Sequence, residues 1–317
     1  MFKPFVRLFA GFGLALLLLS GGAQAAGDPP DCKKVHFSDV GWSCITATTA
    51  IASQILEALG YEPKATILSV PVTFESLKAG DLDAFLGLWL PSQESMIRPY
   101  LDEGSIEQVT TNLTGASYTL AVPKYVHDAG VKDFADLAQF KDNFGGKFYG
   151  IEPGNDGNML IQQMIDDNTF GLADWEIVES SEQGMLSQVD RAVRTNEWIV
   201  FLGWAPHPMN ANFDMAYLGG GDDVFGPNFG GAKVYTLAHQ GYTQQCPNVG
   251  QLLTNVTFTV KMVSTIMGWM LDQGMEPDVA AVKMLRENPD VLAEWLEGVT
   301  TIDGGDAGAA VNAHLGM

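Results

Sequence analysis

Short apolar runs alternate with longer segments of helical periodicity along most of the chain. The apolar runs predict strands at 35–40, about 65–70, 84–88, 117–122, 147–151, 175–179, 198–202 and once more after 233. The periodic segments predict helices at 45–59, 73–79, 132–141, 157–166, 183–195, 247–273, 277–287 and 289–297. This alternation is typical of an α/β fold with parallel sheets.

The order of these elements predicts two lobes. The C-terminal helices have no strands of their own, so we expect them to return and cover the first α/β unit. The second unit is then inserted in the first, with lobe I formed by 26–114 and 232–317 and lobe II by 115–231. Two lobes joined by crossing strands form a cleft and a hinge, as in periplasmic binding proteins of the type II-like architecture. A two-domain α/β enzyme fits the same pattern.

The first 25 residues predict a secretory signal peptide. Lys3 and Arg7 precede an apolar core at 8–19, and Ala23, Gln24 and Ala25 supply the small residues of a cleavage site. The apolar core is too short to span a bilayer, which takes about 20 residues. We therefore expect an exported protein located in the periplasm.

Composition and charge narrow the class of ligand. The 317 residues include 38 Asp and Glu against 17 Lys and Arg, a net charge of −21. Binding to nucleic acid or to anionic lipid needs clustered basic residues, so both functions are disfavoured. The acidic excess favours a neutral, zwitterionic or cationic small molecule.

Three tryptophans share one sequence context, just past a predicted strand and beside a glycine, which we expect to leave room for the approach of a ligand. They are Trp42, Trp89 in FLGLWLPS and Trp204 in FLGWAPHP. Ligands of open α/β sheets bind beyond the carboxyl ends of the strands, so we expect these rings, with Tyr118 from the first crossover, to face the cleft. Converging aromatic faces suit a methylated onium cation, which has diffuse charge and no N–H donor. The other tryptophans are predicted to be core residues, namely Trp175, Trp198, Trp269 and Trp295.

Two further polar residues are candidates for roles near the cleft. Asn155 in EPGNDGN either contacts the polar end of a ligand or caps the following helix, and the sequence leaves both open. His207 has no partner at metal-ligand spacing, so we expect it to be structural.

Three cysteines allow one disulfide in an exported protein and leave one thiol over. Spacing alone does not select the pair. We favour Cys32–Cys246, because this bridge would join the two ends of the chain within one domain, and Cys44 would then be free.

Four segments of the chain resemble the periplasmic substrate-binding proteins of glycine betaine/choline ABC importers, the choline binders in particular. They are FSDVGW, FLGLWLPS, GIEPGNDGN and FLGWAPHPMNANF, and the likeness covers essentially all of the chain after the signal peptide. The resemblance implies a box of Trp42, Trp89, Tyr118 and Trp204 around the trimethylammonium group. It also implies a bond from Asn155 to the choline hydroxyl and a disulfide consistent with Cys32–Cys246.

The resemblance also implies how such a protein works and where this chain departs. We expect a monomer that needs no cofactor or metal and delivers its ligand to an inner-membrane ABC permease. Cys44 stands where the choline binders carry an Asp that accepts from the hydroxyl, and a thiol is a weak acceptor. Glycine betaine, trimethylamine N-oxide and dimethylsulfoniopropionate therefore remain alternative ligands.

Two other functional classes are disfavoured by the sequence. An exported enzyme acting on choline or a choline ester would need a catalytic motif, and no Gly-x-Ser-x-Gly, His-Glu-x-x-His or phosphate loop occurs. The ligand-binding module of a sensor would be expected to carry an anchor or a signalling domain, and the sequence contains neither.

Overall fold

The structure is a computed structural model that describes Met1 and residues 27–317. The predicted signal peptide, apart from Met1, lies outside the described residues. None of the helices in the described part of the chain combines the length and the apolar character needed to cross a membrane.

The described residues form an alternating series of strands and helices. The strands are β1 (Lys34–Asp39), β2 (Glu62–Ile67), β3 (Ala84–Leu90), β4 (Ile106–Pro123), β5 (Lys147–Tyr149), β6 (Glu176–Val178), β7 (Val200–Ala205), β8 (Met215–Tyr217) and β9 (Gly231–His239). The α-helices are α1 (Ser43–Ala58), α2 (Val70–Ala79), α3 (Glu94–Asp102), α4 (Lys124–Asp128), α5 (Lys141–Phe144), α6 (Asp156–Asp166), α7 (Glu182–Thr195), α8 (Met209–Asn212), α9 (Asp222–Phe225), α10 (Pro227–Gly230), α11 (Tyr242–Gln245), α12 (Pro247–Asn255), α13 (Val260–Leu271), α14 (Pro277–Glu287), α15 (Pro289–Trp295) and α16 (Ala307–Leu315). Three 3₁₀ helices cover Pro30–Lys33, Phe134–Phe140 and Thr169–Gly171.

The strands of the described residues belong to one mixed sheet. Its order is β2-β1-β3-β9-β4-β7-β5-β6, and β8 pairs with β4 outside this path. The outer groups are parallel, as predicted, because β1 pairs in parallel with β2 and β3, and β5 with β6 and β7. The centre differs from the prediction: β9 runs antiparallel to both β3 and β4, and β4 runs antiparallel to β7.

The long strand β4 links the two outer groups of strands. Its first part pairs with β9 and its last part with β7, and the β4–β9 ladder is irregular at three points between Gln108 and Ala116. Such bulges bend and twist a strand, so β4 changes direction between the two groups. Ser117 pairs with both Gly231 and Ala205, so the start of β9 and the end of β7 flank β4 at this residue.

The C-terminal helices confirm the predictions at 277–287 and 289–297 but differ from the one before them. The prediction of one continuous helix over 247–273 is wrong, since the chain leaves the helical conformation between α12 and α13. There the Phe258 backbone N–H donates to the Asn112 carbonyl, and the Thr259 side chain caps α13 by accepting from the Met262 N–H at 3.1 Å. The segment predicted as a helix at 132–141 is mainly a 3₁₀ helix, and α3 and α16 were not predicted.

The predicted covalent link is present. Cys32 and Cys246 form a disulfide, and Cys44 is unpaired and buried. The bridge joins the segment just before β1 to the segment just before α12, and helices α13, α14 and α16 pack on α1. The C-terminal helices thus return to the first α/β unit, as the sequence predicted.

Candidate functional site

A small cavity is enclosed mainly by aromatic side chains. Its wall consists of Trp42, Cys44, Trp89, Tyr118, Ile151, Asp156 and Trp204. The structure therefore brings together five of the six residues that the sequence predicted to contact a ligand. The sixth, Asn155, lies next to the cavity rather than in its wall.

The aromatic rings reach the cavity from four different elements. Trp42 directly precedes α1, Tyr118 lies in β4, and Trp89 and Trp204 are the second-to-last residues of β3 and β7. Tyr118 and Trp204 are paired residues of neighbouring antiparallel strands. The prediction that each tryptophan follows its strand is correct for Trp42. It is wrong for Trp89 and Trp204, because β3 and β7 continue beyond the apolar runs that marked them.

The glycines beside two of these tryptophans do not make room for a ligand. A Cβ atom on Gly87 would lie 2.6 Å from the ring of Phe85 and 2.8 Å from Ile45 Cδ1. A Cβ atom on Gly203 would lie 2.8 Å from the Ala121 Cβ atom. These glycines permit close packing behind the strands, so the sequence interpretation of them was wrong.

Tyr118 is the centre of the aromatic arrangement. Its ring lies edge-to-face with Trp89, at a centroid distance of 6.2 Å, and with Trp204, at 6.1 Å. Its hydroxyl lies 3.4 Å from Asn155 Oδ1. Edge-to-face packing fixes the orientation of these rings relative to one another.

Trp42 is oriented by a carboxyl group from another part of the fold. Its indole Nε1 donates to Glu152 Oε1 at 2.7 Å. Burial raises the pKa of Glu152 to about 7, although the bond from Trp42 favours the ionised form. The contact ties the residue before α1 to the loop before α6.

Asn155 has the helix-capping role that the sequence left open. Its Oδ1 accepts from the Asn158 backbone N–H at 3.0 Å, which caps α6, and its Nδ2 donates to the Glu152 carbonyl. The side chain is fully buried. Asn155 contacts the hydroxyl of Tyr118, which lines the cavity, but it does not line the cavity itself.

Cys44 is the second residue of α1, and its thiol lies in the cavity wall. Burial, together with the charge of Glu182, raises its pKa well above the usual range of a thiol. The group is therefore uncharged at neutral pH, and it contributes a small, weakly polar surface.

Asp156 and Ile151 line the cavity and were not among the predicted site residues. Asp156 was present in the EPGNDGN segment, but an acidic residue at the start of a helix is ordinarily explained by capping or by the helix dipole. Ile151 carries no chemical signal that a sequence pattern could reveal.

His207 belongs to a buried polar cluster outside the cavity wall. Its Nδ1 accepts from the Met209 backbone N–H at 2.9 Å, so Nε2 carries the proton and donates to Glu182 Oε1 at 3.2 Å. Glu182 also accepts from the Ser43 backbone N–H at 3.0 Å and from the Ser43 hydroxyl. His207 therefore positions a carboxylate at the N-terminus of α1, a structural role as expected.

The remaining tryptophans lie outside the cavity wall. Trp175 and Trp295 are buried, as predicted for core residues, whereas Trp198 and Trp269 are only half-buried. Trp269 has the ammonium of Lys283 over its ring at 3.6 Å. Among the described residues, no group of three or more His, Cys, Asp or Glu side chains is placed to hold a metal ion.

Comparisons with known proteins place this fold in a known class. A solved structure described as an ABC-transporter choline binding protein in complex with choline is 56% identical, with a TM-score of 0.90, and the match covers 91% of this chain and 100% of that one. A second solved structure, described as the same kind of protein in an unliganded semi-closed conformation, is also 56% identical, with a TM-score of 0.84, over 90% of this chain and 100% of that one.

A protein of Chromohalobacter salexigens described as uncharacterized protein ORF1 is 52% identical over 154 residues. These residues make up 49% of this chain and 96% of that protein.

The likeness to the two solved structures shows that the fold is that of a two-lobed α/β substrate-binding protein of the periplasmic type, a class that captures ligands for transport. Residues 33–287 match the family described as the substrate-binding domain of ABC-type glycine betaine transport systems, and the chain belongs to this family.

Proposed function

We propose that this protein captures choline in the aromatic cavity and delivers it to an inner-membrane ABC permease. The observation that carries the proposal is the wall of the cavity, in which the rings of Trp42, Trp89, Tyr118 and Trp204 meet and no Lys, Arg or His takes part. The 56% identity to a choline binding protein over almost the whole chain supports the same ligand.

The aromatic wall suits a trimethylammonium group for a physical reason. Such a group has no N–H to donate, so hydrogen-bond acceptors cannot hold its nitrogen directly. The negative faces of indole and phenol rings attract its diffuse charge, and each contact contributes roughly 0.5–2 kcal/mol once water is removed. We propose that these rings form the cage and supply most of the binding energy.

The polar end of the ligand is proposed to lie towards Cys44 and Asn155. Asn155 is already bonded to Tyr118 and caps α6, so a bond to the choline hydroxyl would add to a buried network. Cys44 is neutral and a weak acceptor, which leaves glycine betaine, trimethylamine N-oxide and dimethylsulfoniopropionate as alternative ligands of the same cage.

The capture step is proposed to be a closure of two lobes around the ligand. We propose boundaries of 26–114 with 232–317 for lobe I and 115–231 for lobe II, with β4 and β9 as the connections. The Trp42–Glu152 and Ser43–Glu182 hydrogen bonds then join the lobes in the closed state. The higher TM-score to the choline-bound neighbour than to the unliganded semi-closed one supports a closed form.

The cellular setting is proposed to be the periplasm. We propose that the segment 1–25 directs export and is removed, and that the mature protein acts as a monomer that meets the permease after closure. The shared family of ABC-type binding proteins supports a permease as the partner.

Calorimetric titration of the ligand-free protein tests the proposed ligand. We expect choline to bind more tightly than glycine betaine, trimethylamine N-oxide and dimethylsulfoniopropionate. Tighter binding of another of these solutes would keep the cage and change the ligand, and binding of none of them would refute the proposed function.

The cage itself is tested by Trp204→Ala. Loss of one wall is expected to weaken choline binding at least about tenfold, since an aromatic–cation contact of about 1.4 kcal/mol corresponds to that factor. Trp269→Ala is the matched control, because Trp269 lies outside the cavity, and it should leave the dissociation constant unchanged. An unchanged constant for Trp204→Ala would contradict the cage.

A further inference from the structure

Asp156 is one of the residues that line the cavity, and its carboxylate is buried. The residue is only 2% exposed to solvent. Oδ1 accepts from Gln93 Nε2 at 3.3 Å, and Oδ2 has no hydrogen-bond partner among the described residues. None of the ion pairs found in residues 27–317 includes Asp156.

A buried carboxylate without a positive partner is costly to the folded protein. Removal of a charge from water is unfavourable unless an opposite charge or several hydrogen bonds replace the water. Burial accordingly raises the pKa of Asp156, although the nearby side chains of Ser92 and Gln93 and its own backbone N–H oppose this rise. Its place in the first turn of α6 offsets part of this cost, because the positive end of the helix dipole favours an anion there.

The wall of the cavity does not supply the missing positive partner. The other groups in its wall are four aromatic rings, a neutral thiol and an isoleucine, none of which carries a positive charge. A cation held between these rings would occupy the water-poor space beside the buried Asp156 side chain. In such a space the attraction of opposite charges is much stronger than in water.

We infer that the Asp156 carboxylate is the counter-ion of the bound onium group and restricts the site to ligands with a net positive charge. This inference rests on the proposed function. A cationic alcohol such as choline brings one positive charge to one carboxylate. A zwitterion such as glycine betaine also brings a carboxylate into a cavity that Asp156 already lines. A second acidic side chain, Glu152, accepts the hydrogen bond from Trp42 of the same wall. Rejection of one ligand class by like charges is a common source of specificity.

The substitution Asp156→Asn removes the charge and keeps the shape and the bond from Gln93. We expect choline to bind roughly tenfold or more weakly to this variant. The neutral carbon analogue of choline, 3,3-dimethylbutan-1-ol, should change less than about threefold. Glycine betaine should bind as before or more tightly. The affinity for choline should therefore fall relative to the affinities for glycine betaine and for the neutral analogue.

Asp166→Asn is the matched control. Asp166 is an exposed carboxylate at the other end of the same helix, and its loss should leave all three affinities unchanged. A purely structural role of Asp156 would weaken all three ligands by the same factor, and this result would overturn the inference. Equal affinities for choline and glycine betaine in the unsubstituted protein would overturn it without any variant. Absence of onium binding to the unsubstituted protein would instead refute the proposed function.

Discussion

At the scale of single residues, the chemistry of Cys44 sets the polar side of the cavity. Burial keeps its thiol neutral, so at this position the wall neither attracts a ligand hydroxyl strongly nor repels a ligand carboxylate. We expect Cys44→Asp to raise the preference for choline over glycine betaine roughly threefold to tenfold. The added carboxylate would accept from the hydroxyl and repel the carboxylate of the zwitterion. Parallel calorimetric titrations with both ligands measure the ratio.

Cys44→Asn is the control for this change, because Asn has the size of Asp without its charge. We expect this variant to alter both affinities in the same direction. An unchanged ratio for Cys44→Asp would mean that the residue at position 44 does not face the proposed ligand.

The sequence predicted the residues of this site to different degrees. Trp42, Trp89 and Trp204 could be selected because all three lie near a strand end, where ligands of α/β sheets bind. Asp156 could not be selected, since its acidic side chain at a helix start has a sufficient local explanation. Only the three-dimensional structure shows that its second oxygen is buried without a partner.

At the scale of elements, the packing of α6 against β4 holds the aromatic arrangement in place. A Cβ atom on Gly157, in the first turn of α6, would lie 1.9 Å from the Tyr118 hydroxyl oxygen and 2.6 Å from Cζ of the same ring. We therefore expect Gly157→Ala to displace Tyr118 and to weaken choline binding roughly tenfold or more. Calorimetric titration measures the loss.

A second glycine within a helix provides the control. Gly268 lies inside α13, and the nearest atom to an added Cβ would be Asp272 Oδ2 at 3.7 Å, an ordinary contact. Gly268→Ala should therefore stabilise the protein by up to about 1 kcal/mol, through the higher helix propensity of alanine, and leave choline binding unchanged. Equal binding by both variants would show that α6 does not hold Tyr118.

Elements with a strong local signal were predicted well. The helix expected at 45–59 is α1 at Ser43–Ala58, and the one expected at 183–195 is α7 at Glu182–Thr195. The break between α12 and α13 was missed, although Val256, Phe258 and Val260 alternate with threonines at the period of an extended strand. It arises from a contact across the fold, the bond from the Phe258 N–H to the Asn112 carbonyl.

At the scale of the whole molecule, the disulfide joins parts of the chain that are far apart in sequence. Cys32 and Cys246 are 214 residues apart, and a bridge over so long a loop restricts the unfolded chain strongly. We expect the double variant Cys32→Ala, Cys246→Ala to lose roughly 2–5 kcal/mol of unfolding free energy. Urea denaturation measures this loss.

Choline affinity is the internal control for the double variant. Neither cysteine lines the cavity, so the folded fraction should bind choline as the unsubstituted protein does. Cys44→Ala leaves the bridge intact and should not show the same loss of stability. An unfolding free energy unchanged in the double variant would contradict a stabilising role for the bridge.

The overall architecture was only partly accessible from the sequence. The alternation of elements correctly indicated two α/β units and a helical return. It did not reveal that β4 and β9 pair with each other in antiparallel directions and make one continuous sheet. Hydrophobic periodicity marks which residues are buried in a strand, but it contains no information on the neighbour or the direction of that strand.

The disulfide also has a consequence for the order in which the chain becomes available during synthesis. Ribosomes release the N-terminal region first, so Cys32 and Cys44 emerge long before Cys246. An oxidant that acts on the incomplete chain can therefore only join Cys32 to Cys44, which is a non-native pair. The native bridge requires either that oxidation wait until residue 246 has emerged or that thiol–disulfide exchange corrects the first pairing. The thiol that lines the cavity is thus also the early competitor for the bridge.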